Sequence, residues 1–192
     1  MWILIVIIAI VVILLLFLWG SYNGLVNARN QVKNAWAQID VQLKRRYDLI
    51  PNLVETVKGY KNFERDTLEA VTKARTAAQT ASTSGDVGAR SAAEGELSGA
   101  LSRLMVVVEK YPDLKANQNF LALQEELTST ENKISFSRQA YNDEVLQYNN
   151  KVQQFPATIV AGMFNFKKEQ EFLQATTADV ERQAPKVSFY YY

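Results

Sequence analysis

The chain has 192 residues with no cysteine and no histidine, so it lacks the side chains that most often serve as thiolate nucleophiles, metal ligands and general bases. Its 21 basic and 20 acidic residues leave a net charge of +1, which excludes the basic field that nucleic-acid binding requires. Only 8 glycines and 4 prolines interrupt a composition rich in helix-forming residues, so we predict an all-α protein.

The first element is an apolar stretch in which every residue from 2 to 19 is hydrophobic. As a helix it would measure about 27 Å at about 1.5 Å per residue, close to the roughly 30 Å of a hydrocarbon core. Trp2 and Trp19 lie at its ends, where indole rings favour the membrane interface. We predict a transmembrane anchor over residues 1–20. A cleavable signal peptide is disfavoured, because no basic region precedes the stretch and no A-x-A-like site follows it.

The charges after this anchor bear on its orientation in the cell membrane. Arg29 and Lys33 follow the anchor, and no acidic residue appears before Asp40. Positive charges favour the cytoplasmic side. We therefore expect a single-pass protein with an external N-terminus and a cytoplasmic bundle.

Residues 21–155 are predicted to form an antiparallel bundle of about four long helices that continues from the anchor. Apolar residues recur at helical steps up to Ile50, and Pro51 predicts a kink or break that starts a second helix. This second helix is expected to reach about residue 81, with an interruption around residues 59–64. A loop over residues 82–90, a third helix over residues 91–110 and a turn over residues 111–118 follow, and near-heptad spacing predicts a fourth helix ending at Phe155. Whether the first helix continues unbroken through Gly20 and Gly24 stays open.

Eight residues of these helices are candidates for helix seams or assembly. Four asparagines spaced by four, three and four residues share one face of the first helix, where they form either a solvated face or a seam that fixes register. Two tyrosines seven residues apart share one face of the fourth helix. One tryptophan and one arginine of the first helix are the remaining candidates. The candidates are Asn23, Asn27, Asn30, Asn34, Trp36, Arg46, Tyr141 and Tyr148.

Residues 156–192 are expected to hold an apolar patch, a short helix and an aromatic tail. The patch covers residues 159–166, and the short amphipathic piece lies near residues 169–175. The patch either caps the core of the bundle or lies near the membrane.

No pattern in the chain predicts catalysis, a cofactor or a metal site. Asp48 and Glu64 are the carboxylates that two helices could bring together, but an ion-pair network explains them better than an acid/base pair does. The glycines near residue 85 lack the lysine and hydroxyl of a phosphate-binding loop. We therefore predict that the protein is not an enzyme.

Long stretches of the sequence resemble the LemA family. They are YNGLVNARNQVKNAWAQIDVQLKRRYDLIPNLVETVKGY (22–60), LEAVTKAR (68–75), SRQAYNDEVLQYNNKVQQFPATIVAGMFNF (137–166) and the later APKVSF. The resemblance implies a bacterial single-pass membrane protein with an external N-terminus and a long-helix bundle, in a family with a magnetosome-membrane branch and no established biochemical activity. Family members often carry a histidine after the tyrosine that matches Tyr60, whereas this chain continues Lys61-Asn62-Phe63-Glu64.

These features predict a membrane-anchored scaffold that self-associates as a homo-oligomer and organises or shapes the lipid bilayer. The alternative is a tethered adaptor for another membrane protein, such as a protease or a signalling protein. Its binding surface would be the loop at residues 82–90 or the patch at residues 159–166.

Overall fold

The computed structural model describes residues 1–60 and 63–169, and within these residues the regular structure consists of six helices and no strands. In chain order the helices are α1 (Trp2–Lys58), α2 (Arg65–Ser82), α3 (Val87–Val108), α4 (Pro112–Lys115), α5 (Gln118–Gln153) and α6 (Ala157–Met163). The prediction of an all-α fold, with an apolar N-terminal helix that continues into long packed helices, is confirmed. Residues 170–192, which include most of the predicted short helix and the aromatic tail, lie outside the described residues.

Helix α1 runs unbroken through Gly20, Gly24 and Pro51, so the prediction that a kink or break at the proline starts a second helix is wrong: no new helix begins there. A proline inside a helix leaves the carbonyl four residues earlier without its usual N–H donor. Here that carbonyl belongs to Tyr47, and the Arg75 side chain of α2 donates to it through Nε at 2.7 Å. The interruption predicted around residues 59–64 is where α1 actually ends.

The chain divides into two compact units, and the first contains residues 1–45 with residues 129–169 of the described chain. In this unit α1 and α5 run antiparallel, since Trp36 contacts Tyr141 while Tyr22 contacts Phe164, which follows the end of α5. Each helix buries one apolar stripe with steps of three, four and seven residues. The stripes are Leu25, Ala28, Val32, Ala35, Ile39 and Leu43 on α1, and Ile134, Tyr141, Val145, Tyr148 and Val152 on α5.

The second unit contains residues 46–128, with the end of α1, helices α2 to α4 and the start of α5. Its core is again formed by apolar side chains at helical spacing, among them Ile50, Leu53, Val57, Leu68, Val71, Leu97, Leu104, Leu114 and Phe120. The single turn α4 lies within the turn predicted at residues 111–118 and has Pro112 at its first position.

The connection between α2 and α3 is shorter than the predicted loop at residues 82–90. Helix α3 begins at Val87 because the Asp86 carboxylate caps it, accepting hydrogen bonds from the backbone N–H groups of Gly88 at 2.8 Å and Ala89 at 3.1 Å. Gly85 precedes this cap with a φ of 72°, a left-handed conformation that favours glycine.

Candidate functional site

The apolar segment of α1 is exposed at every residue except Leu18, which is partly exposed. None of residues 1–20 is buried against any other part of the described chain, and the mean hydropathy of the segment reaches 3.4. Trp2 and Trp19 are exposed at its ends. An apolar surface of this extent requires an apolar environment. The segment is long and apolar enough to cross a membrane, which supports the predicted anchor.

The four asparagines of α1 lie on the helix face opposite to its packed face. Asn27, Asn30 and Asn34 each follow a buried residue by two positions, which is about 200° around the helix. Asn23 is also exposed. The same spacing continues through two exposed apolar residues, Ala37 and Val41. We call these six residues the asparagine face: Asn23, Asn27, Asn30, Asn34, Ala37 and Val41.

Trp36, Tyr141 and Tyr148 lie inside the first unit. The rings of Trp36 and Tyr141 are 5.1 Å apart with a tilt of 59°. Burial, with the charge of Glu169 as the second cause, raises the pKa of Tyr141 to about 12. The same two causes raise the pKa of Tyr148, whose hydroxyl donates to the backbone carbonyl of Lys167 at 2.8 Å. Both tyrosines therefore remain neutral hydrogen-bonding groups at physiological pH.

An aromatic cluster surrounds the first residues beyond the apolar segment. The Tyr22 ring contacts Phe164 at 4.8 Å and Phe166 at 5.7 Å, and the Arg29 guanidinium lies 5.2 Å from the centre of the Phe166 ring. This last geometry permits a favourable cation–π interaction. We call Tyr22, Arg29, Phe164 and Phe166 the collar.

The turn that ends α6 explains how both phenylalanines reach Tyr22. Asn165 adopts a φ of 55°, and the Phe166 N–H donates back to the Ala161 carbonyl at 2.9 Å. This is the hydrogen-bond pattern of a Schellman motif, in which a left-handed residue reverses the chain after a helix. The reversal returns Phe166 to the core, where it is buried.

Beyond the collar, residues 167–169 are held against α5. The Asn149 side chain donates to the Glu169 carbonyl at 3.0 Å and accepts from the Glu169 N–H at the same distance. Together with the Tyr148 contact to Lys167, these bonds attach the segment through its backbone. The side chains of Lys167 and Lys168 therefore remain exposed.

Arg46 is fully buried in the second unit. Its guanidinium pairs with the Glu94 carboxylate at 3.2 Å and donates to the Ser98 hydroxyl at 2.8 Å. Tyr47 donates its hydroxyl to the other oxygen of Glu94, and burial followed by this hydrogen bond raises the Tyr47 pKa well above its usual value. Arg46 was among the residues predicted from the sequence, whereas Tyr47 and Glu94 were not.

The two carboxylates considered for acid/base chemistry are both exposed. Glu64 pairs with Lys110 at 3.3 Å, and Asp48 lies on the exposed side of α1. Across residues 1–60 and 63–169, no group of three or more acidic side chains is arranged to hold a metal ion. An open groove of about 850 Å³ does lie between the end of α1 and α2, with Val54, Tyr60, Phe63 and Leu68 among its lining residues.

Comparison with known proteins gives matches over most of the chain. The LemA family model matches residues 35–189. The protein named LemA from Metamycoplasma hominis is 30% identical over 144 residues, which are 74% of this chain and 64% of that relative, so the match spans somewhat less than two thirds of its length. Magnetosome protein MamQ 2 from Paramagnetospirillum magneticum is 23% identical, and MamQ from Magnetospirillum gryphiswaldense is 22% identical, each over 86% of this chain and 70% of the relative. The family model covers far more than half of the sequence, and the chain therefore belongs to the LemA family.

Proposed function

We propose that this protein is a membrane-anchored helical scaffold that self-associates through the asparagine face of α1 and thereby organises or shapes the membrane. The observation that carries the proposal is that the residues of this face are exposed and regularly spaced. Its six positions follow steps of four, three, four, three and four residues, the repeat by which two helices pack in a left-handed coiled coil. The opposite face of α1 is already buried within the chain.

Anchoring favours a second copy of the same chain as the partner. Because every copy is held in the bilayer by the same apolar segment, the same asparagine lies at the same height in neighbouring copies. Asparagine amides both donate and accept hydrogen bonds, so identical side chains can pair in register. A buried asparagine at a seam position also disfavours shifted registers, since a mispaired amide loses its partners.

Assembly through this face would act on the membrane mechanically. Helices held side by side at a fixed distance bring their anchors to the same spacing in the lipid. The similarity to two relatives named as magnetosome proteins agrees with a role at a membrane.

The oligomeric state of the full-length protein tests this proposal. We expect the wild-type protein to be oligomeric in lipid nanodiscs by mass photometry, and the double variant Asn27→Lys with Asn34→Lys to be monomeric. In-register pairing would place like charges of neighbouring copies close together, where they repel.

A matched control is available on α5, where Asn132 and Gln139 are also exposed amides seven residues apart. The double variant Asn132→Lys with Gln139→Lys should assemble like the wild type. A wild-type protein that stays monomeric over a wide concentration range would refute the proposal, and so would equal loss of assembly in both double variants.

An adaptor role is the second candidate, and the open groove between α1 and α2 is the observation that favours it. A photocrosslinker placed at Thr72, which lines this groove, tests it in cells. Crosslinks from Thr72 to one heterologous protein would support an adaptor. Crosslinks between two copies of this chain from a probe at Asn30, with none from Thr72, would support the scaffold.

A further inference from the structure

Helix α6 and its flanks expose four large apolar side chains. Ile159 and Met163, four residues apart on one face, are 54% and 67% exposed, while Val160 and Ala161 are buried. Phe155 before the helix is 80% exposed and Phe164 after it is 54% exposed. We call Phe155, Ile159, Met163 and Phe164 the α6 patch.

The collar fixes the height of this patch along α1. Phe164 contacts Tyr22, which lies three residues after Trp19, or about 4.5 Å along the helix axis. The interfacial layer on each side of a hydrocarbon core is about 5–8 Å thick. When α1 crosses a bilayer with Trp19 at its edge, Phe164 therefore lies at the level of the lipid headgroups.

The pairing of α1 with α5 gives the same height independently. From the contact between Trp36 and Tyr141, α1 descends about 21 Å to Tyr22, and α5 descends about 18 Å to its end at Gln153. The chain thus enters α6 close to the level of Tyr22.

The charges around the patch match a lipid surface. Residues 151–169 contain three exposed lysines, Lys151, Lys167 and Lys168, against one acidic residue, Glu169. Basic side chains at this level attract anionic lipid headgroups. A surface that combines exposed apolar side chains with flanking lysines has the composition of an interfacial membrane contact.

We propose that the α6 patch is a second membrane contact, in which Ile159 and Met163 enter the interfacial layer of the bilayer that α1 crosses. Each copy then touches lipid at two points, the span and the patch. This contact requires no second copy, so it is independent of the self-association proposed above.

The absence of cysteine in the chain allows a direct test with single labelled sites. Full-length variants Ile159→Cys and Met163→Cys carry an environment-sensitive NBD fluorophore in vesicles of phosphatidylcholine and phosphatidylglycerol in equal amounts. Part of the lipid carries a nitroxide quencher on the upper acyl chain. We expect blue-shifted emission and strong quenching at both sites.

Phe136→Cys is the matched control, because Phe136 is an apolar residue of the first unit that is more exposed than Ile159 and lies outside the asparagine face. It lies on α5 far from Gln153, where the chain enters α6, so its emission should stay red-shifted and unquenched. The labelled variants are also prepared with Asn27→Lys and Asn34→Lys, which removes the asparagine-face contact from the comparison.

The outcomes separate the alternatives. Quenching at residues 159 and 163 that clearly exceeds quenching at residue 136, in both backgrounds, supports the lipid contact. Equal quenching at all three sites overturns it. A blue shift without quenching also overturns it, because the patch is then covered by protein.

Discussion

Arg46 brings a full positive charge into the core of the second unit. Removing such a charge from water is costly, and the Glu94 carboxylate with the Ser98 hydroxyl compensates part of that cost. Tyr47 donates to the remaining oxygen of Glu94, so both carboxylate oxygens have partners. A buried pair of this kind favours one packing arrangement, because any other arrangement leaves a charge uncompensated.

Replacing Glu94 should therefore destabilise the protein strongly. We expect Glu94→Leu to lower the free energy of unfolding by about 3–5 kcal/mol, because it leaves Arg46 buried without its counter-charge. Urea denaturation of the full-length protein in mild detergent, followed by circular dichroism, measures the loss.

The exposed pair of Arg65 and Glu69 provides the control. Glu69→Leu should change stability by no more than about 0.5 kcal/mol, since exposed pairs contribute little. Adding Arg46→Met to Glu94→Leu should recover part of the stability. Equal losses at positions 94 and 69 would contradict the role given to the buried pair.

Tyr141 should make the folded protein sensitive to strongly alkaline pH. Its pKa is about 12 in the folded chain and about 10 in an unfolded one, so folding favours the neutral phenol. The resulting stability is fully present below pH about 10 and is lost as the pH rises through about 12. Tyrosinate absorbance should show late-titrating tyrosines, one fewer in Tyr141→Phe. If all tyrosines of the folded protein titrate together near pH 10, this expectation fails.

At the scale of helices, α1 is held continuous by a contact from α2. The Tyr47 carbonyl cannot bond to residue 51, which is proline, and Arg75 provides the missing donor. A side chain from one helix thus completes the hydrogen bonding of another. This contact also fixes how α2 lies against the end of α1 within the second unit.

A double-mutant cycle tests this relation. Arg75→Met should lower the free energy of unfolding by about 1–3 kcal/mol, because a carbonyl loses its partner. In a Pro51→Ala background the same change should cost less, since the N–H of residue 51 then bonds to Tyr47 within the helix. Urea denaturation of the four proteins measures the coupling. Additive effects of the two changes would contradict it.

Periodicity predicted the helices best where the apolar stripe was long, and it failed where another part of the chain intervened. Helix α5 begins and ends close to its predicted limits because its near-heptad stripe is uninterrupted. The continuation through Pro51 could not be predicted locally, since the Arg75 side chain that bonds to the Tyr47 carbonyl lies on another helix. Glu94 had a signal that was overlooked: it is in step with the buried stripe formed by Leu97, Leu101 and Leu104.

The residues of the candidate site could be predicted from the sequence better than their arrangement in the structure could. The spacing of the asparagines placed them on one face, and the structure shows that this face is exposed. The patch at residues 159–166 divides in a way that sequence could not indicate, with Phe166 buried in the collar and Met163 exposed. That division depends on the turn at Asn165.

At the scale of the whole chain, helix α1 passes unbroken from the apolar segment into the packed part of the first unit, and this determines which surfaces lie near a membrane that the segment crosses. It sets the height of the collar above the apolar segment, and in the proposed assembly it would keep the asparagine faces of neighbouring copies at the same level. Both proposals depend on this continuity through Gly20 and Gly24.

Interrupting α1 at this point should change assembly and lipid contact without changing the stability of the fold. A short glycine-serine insertion between Gly20 and Ser21 should leave the urea midpoint of the helical units unchanged, because no residue before it is buried. It should weaken assembly in nanodiscs and reduce lipid quenching at residue 163, since height is no longer fixed. Unchanged assembly and quenching would show that neither depends on a rigid connection.

In the proposed assembly, the neutrality of the four asparagines would have a physiological consequence. Amide groups neither gain nor lose protons in the cellular range, and ionic strength barely weakens contacts between uncharged partners. An interface made from them would therefore respond less to changes in pH and salt concentration than a charged interface does. The fraction of chains that assemble would depend mainly on the number of chains per membrane area. The cell would then control assembly through the amount of this protein that it makes.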